Sequence, residues 1–86
     1  MENRVALIGF VIENNDSVEA LNKLLHNYKD YIVGRMGIPY REREVNLISI
    51  VMDAPSDAIS SLTGKAGMIE GVSAKALYSK ITGESK

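Results

Sequence analysis

The chain has no cysteine and no tryptophan, one histidine, one phenylalanine and two prolines among its 86 residues. Without cysteine it has neither a disulfide framework nor a thiolate metal site. That composition fits a reducing cytoplasm. A lone imidazole, His26, cannot make a transition-metal site by itself. Only symmetry, bringing copies of it together with Asp or Glu, would do so; no metal and no other cofactor is expected. Ten cationic against eleven anionic side chains leave a net charge of -1, which gives no pull toward nucleic acid or an anionic membrane. No helix-turn-helix pattern is present, and Phe10 alone does not supply the exposed rings that stack RNA bases. The apolar run Val5–Ile12 is too short for a membrane span and carries no signal-peptide cleavage pattern. No catalytic constellation is visible, so an enzyme is not expected.

What is present is strand-forming and aliphatic. From Arg4 to Ile12 both alternating sets are apolar: Val5, Leu7 and Val11 on one side, Ala6, Ile8, Phe10 and Ile12 on the other. A strand wet on one side would carry a polar residue at every second position. This strand is therefore central and covered on both faces. Asp16 and Glu19 have capping-box spacing before a helix predicted over Ser17–Tyr28, with Val18, Leu21, Leu25 and Tyr28 as its apolar stripe, widened by Leu24. A second strand is predicted from Tyr31 to Met36, stopped by Gly37-Ile38-Pro39, with Pro39 in a turn or at a sheet edge. The charge-alternating Tyr40–Glu44 segment reads as an exposed hairpin arm. The third strand, Val45–Met52, is again apolar on both faces except at Ser49. Ser56, or alternatively Asp53, caps a second helix with Ile59, Leu62 and Ala66 on one stripe, fraying at Gly64 and Gly67. A half-exposed edge strand, Val72–Tyr78, closes the domain; Leu77 breaks its alternation. The domain spans residues 1–80, and the small polar tail over 81–86 is expected to be disordered.

The order β-α-β-β-α-β, with right-handed crossovers, closes as an α+β ferredoxin-like sandwich: a four-stranded antiparallel sheet with both helices on one face. That topology puts the first and third strands in the middle, where the two doubly apolar segments belong. The helices cover one face only. On the other lie Val5, Leu7, Val11, Val45, Leu47 and Val51, whose burial is worth on the order of 10 kcal/mol in total. A monomer exposing such a patch is unfavourable, so a homo-oligomer, dimer or higher, is expected to bury it, with Gly9 and Ser49 allowing close approach. The alternative is a monomer whose tail or hairpin folds across the sheet.

The runs Leu24-Leu25-His26, Gly34-Arg35-Met36-Gly37-Ile38-Pro39-Tyr40-Arg41-Glu42 and Leu62-Thr63-Gly64-Lys65, with Gly67, Ile69, Gly71, Val72 and Lys75, resemble the iron-only hydrogenase system regulator family over nearly the whole chain. Ala66 stands where that family's pattern has a larger aliphatic. The resemblance implies a fold similar to ACT domains and to the C-terminal domain of nickel-responsive repressors, which bind small effectors or metal between subunits. It supplies no catalytic residues. It implies a non-enzymatic regulatory or effector-binding domain. An enzyme with an inter-subunit active site and a structural interaction module are the alternatives.

Three residues are candidate ligand contacts. Asn14 and Asn15 lie in the loop Glu13–Asp16, the position where ACT relatives hold effectors, although the glycine those loops tend to carry is missing. A turn with a helix cap accounts for the same residues. His26 lies off the apolar stripe, exposed or at an interface, where nickel-responsive relatives use several histidines and a cysteine. Arg35, Arg41 and Arg43 are interleaved with Glu42 and Glu44, which cancel most of their field, so a solvated arm is expected there. Gly64-Lys65-Ala66-Gly67 ends a helix and is no phosphate loop.

Overall fold

The first strand, β1 (Asn3–Ile12), is the spine of the sheet in the computed structural model, which describes residues 3–82. On one side it pairs antiparallel with β3 (Val45–Pro55), in unbroken register from Asn3↔Pro55 to Ile12↔Asn46. On the other it pairs antiparallel with β4 (Val72–Thr82), with an irregularity between Arg4 and Ala6. β2 (Ile32–Tyr40) lies outside β3, giving the order β2-β3-β1-β4. The sheet is thus the four-stranded antiparallel one of the ferredoxin-like sandwich, with both doubly apolar strands inside.

Helices α1 (Val18–His26) and α2 (Ser56–Gly67) lie together on one face. Leu21 and Leu25 from α1, with Ile59, Leu62 and Ala66 from α2, form a single core with Ala6, Ile8, Phe10 and Ile12 of β1 and Ile48, Ile50, Met52 and Ala54 of β3. Nearly all of these side chains are removed from water, each leucine, isoleucine, methionine or phenylalanine contributing ~1.5–3 kcal/mol and each alanine less. The alternation buried–exposed along β1 is strict from Val5 to Ile12, as period-2 geometry requires.

Four local features depart from the sequence expectations. The amide of Asp16 donates to Asn14 Oδ1 at 3.0 Å, so Asn14 caps a single 3-10 turn (Asn15–Ser17) before α1, and Asp16 is not the cap. α1 ends at His26 rather than Tyr28, yet Tyr28 still packs on the core and shares a 3.0 Å hydrogen bond with Ser61. α2 starts on Ser56 itself, with Pro55 at the capping position and no side-chain cap; it runs through Gly64 to Gly67. Proline's missing N–H costs nothing there, because its fixed φ suits a helix entry. Finally, three strands outrun their expected ends. β3 runs past Met52 to Pro55, so Asp53, the alternative cap, is in the strand. β2 continues through Pro39 to Tyr40, because an edge strand tolerates an absent donor. β4 continues past Tyr78 to Thr82, so the start of the expected tail is strand, and its remaining residues, 83–86, lie outside the described ones.

Candidate functional site

Register across the sheet arranges the open face in rows. In one row Met36, Ser49, Gly9 and Lys75 stand side by side on β2, β3, β1 and β4. The row on one side is Ile38, Leu47, Val11 and Ser73; on the other it is Gly34, Val51, Leu7 and Leu77. Residues directly opposite in an antiparallel sheet share a face. This patch is therefore contiguous over four strands. Among its members Leu7 is 45% exposed, Met36 59% and Leu77 69%. The six residues expected to form an interface are all here: Val5, Leu7 and Val11 are exposed, and Val45, Leu47 and Val51 half-buried. No described segment covers them.

The face is not flat. Gly9 has no side chain, and a Cβ built on it would meet nothing within 4 Å. Gly9 is therefore the low point of the face. It floors a concavity of about 350 Å³, walled by Met36, Ile38, Leu47 and Val11, with Ser49 and Lys75 on either side of the glycine. Neither Ser49 nor Lys75 makes a side-chain hydrogen bond or ion pair to a described residue. Sequence reasoning missed Met36, Ile38, Lys75 and Leu77 as members of this face. The signal for one of them was present, since Leu77 was the residue that broke the edge-strand alternation.

The polar candidates are dispersed. Asn14 caps the 3-10 turn. Asn15 Oδ1 accepts a 2.6 Å hydrogen bond from Asn46 Nδ2, tying the loop to the start of β3. Beside it a concavity of about 370 Å³ is bordered by Tyr40, Arg41, Glu44 and Asn46. His26 is exposed at the far end of α1, roughly 16 Å from Asn15 at the helical rise per residue. It borders a separate recess of about 260 Å³ with Asn22, Lys29 and Arg35, in which Arg35 Nη2 donates to Asn22 Oδ1. The structure therefore does not bring His26 to Asn14 and Asn15. Among the described residues no three His, Asp or Glu side chains gather as a metal site would need. No helix of the described residues is long and apolar enough to cross a membrane.

Comparison with known proteins places the chain. The family model described as "TM1266-like: Iron-only hydrogenase system regulator, putative" matches residues 4–76. The solved structure of the uncharacterized protein TM1266 from Thermotoga maritima superposes with a TM-score of 0.87 at 33% sequence identity, over 91% of this chain and 99% of that one. No curated protein matches significantly. The family match covers both helices and reaches into all four strands. On this combined likeness of sequence and structure, the chain belongs to the TM1266-like family.

Proposed function

We propose that the protein is a non-enzymatic regulatory domain of an iron-only hydrogenase system, working in the cytoplasm as a homo-oligomer. The word regulator comes from the family description. The oligomer rests on one observation: an apolar patch over β1, β2, β3 and β4 that no described part of the chain shelters. Val5, Leu7, Val11, Val45, Leu47 and Val51 form the interface, and a second copy of the same face is its partner. Patches of this extent, on a domain this small, mark association surfaces. Sheet-on-sheet packing also supplies the core that an 86-residue chain otherwise has in small measure. The non-enzymatic reading is supported by the scatter of polar groups: Asn14, Asn15 and His26 are committed to a cap, a loop tie and a helix end. Regulation by a domain of this kind consists of binding an effector and passing on a change of subunit arrangement.

The test is to replace Leu7, at the centre of the face, by glutamate and compare masses by light scattering. The unaltered protein is expected as an oligomer. Leu7→Glu is expected as a monomer, or as a chain too destabilised to stay folded. An unaltered protein that runs as a monomer contradicts the proposal.

A further inference from the structure

We infer that the recess over Gly9 holds a compact, uncharged hydrocarbon of the size of a single aryl ring, enclosed between two copies of the chain. This names the effector class for the interface proposed above and rests on that reading, because the second copy is what closes the recess from water.

Three features point the same way. First, the lining selects the chemistry. Val11, Met36, Ile38 and Leu47 wall the recess, and the surface turned toward it is almost entirely apolar. A charged or hydrogen-bonding molecule would lose its hydration there with no partner in return, whereas a hydrocarbon gains by leaving water. Second, the volume of about 350 Å³ falls in the range of small-molecule sites. Third, symmetry keeps the recess from being filled by protein. Along the two central strands the apolar patch ends at Val5 on β1 and at Val45 on β3, each four residues from the paired Gly9 and Ser49, which are therefore its middle. A two-fold contact between two copies uses the same patch on both. When it covers that patch from end to end, its axis passes close to the Gly9–Ser49 pair, and each copy's recess faces its partner's. Glycine and serine are too short to fill the opposing recess, so a dry apolar cavity is left between the sheets. Cavities of that kind exclude water and take up small apolar molecules; left empty, they destabilise what encloses them.

The experiment uses toluene, with benzoate and benzylamine as charged matches, in thermal shift and calorimetry on the intact protein, with light scattering on the same samples. Toluene is expected to raise the melting midpoint saturably, and benzoate and benzylamine are not. Gly9→Val fills the recess from its floor; a strand accepts valine, and the added Cβ meets nothing within 4 Å. It is expected to abolish the toluene response while the mass stays that of the unaltered oligomer. Where Gly9→Val does not fold, Gly9→Ala takes its place and is expected to weaken toluene several-fold at the same mass. An oligomer that shows no saturable toluene response, or whose response Gly9→Val leaves at full size, overturns the inference and leaves the oligomer standing. So does a folded Gly9→Val variant that falls apart into monomers, since a side chain of the second copy then occupies the recess. An unaltered protein that runs as a monomer overturns the oligomer and the enclosed cavity together, so the mass tells the two failures apart.

Discussion

Ser17 Oγ donates a 2.6 Å hydrogen bond to the backbone carbonyl of Glu70, joining the turn before α1 to the turn before β4. Ser17 is the one buried polar residue among those described. A second tie runs alongside, from the Glu13 amide to the Gly71 carbonyl at 2.7 Å. These two bonds hold the end of β1 against the start of β4, and so set the register that places Lys75 beside Gly9. Ser17→Ala is expected to cost about 1–3 kcal/mol, because it strands a partly buried carbonyl. Denaturant unfolding checks this; a change under a few tenths of a kcal/mol would contradict the assigned role.

Gly71 sits at φ +77, and a Cβ added there would stand 2.7 Å from Asn14 Cβ. Two separate costs coincide: left-handed backbone, which favours glycine, and a clash with a residue held in place by its own capping bond. Gly71→Ala is therefore expected to lose more than the roughly 1 kcal/mol typical of a strained alanine. The melting midpoint should fall further than for Gly64→Ala, whose added Cβ meets nothing within 4 Å.

Why the open face was only half legible in the sequence is explained by Leu77. Doubly apolar patterns on β1 and β3 announce a covered second face, because period-2 alternation is a local property. Membership of an outer strand in that face depends on cross-strand register, which is a tertiary property. Leu77 looked like an error in an edge strand until it paired with Leu7. Ile38 is hidden because Gly37-Ile38-Pro39 reads as a strand stop, when the edge position of β2 lets the strand run on; Met36 lies inside the predicted strand, and only its register opposite Ser49 puts it on this face. Asn14 displaced Asp16 as the cap because both have the right side chain and only the backbone's entry angle chooses between them. The helical stripes were legible throughout: Leu21, Leu25, Ile59, Leu62 and Ala66 are all buried.

Leu77 also separates association from general stickiness. Both Leu77 and Met68 are highly exposed, at 69% and 86%. Only Leu77 lies on the open sheet face; Met68 follows α2 in the helical layer. Leu77→Glu is expected to weaken the assembly while Met68→Glu leaves it intact, judged by cross-linking at matched concentration. Equal effects would mean that the sheet face has no special part.

Metal uptake is expected to be nil. His26 stands with Lys29 and Arg35 around its recess and no carboxylate among the lining residues, a set that repels cations. Equilibrium dialysis against nickel, zinc and iron, followed by elemental analysis, should return protein without stoichiometric metal. Retained metal that His26→Ala abolishes would contradict this.

Sedimentation equilibrium of the unaltered protein across a wide concentration range is the most direct test of the central claim. Sheltering of the β1–β3 face by another copy predicts a mass at a whole multiple, two or more, of the 9.4 kDa chain, held down to low concentration. A single species at 9.4 kDa throughout that range would contradict it.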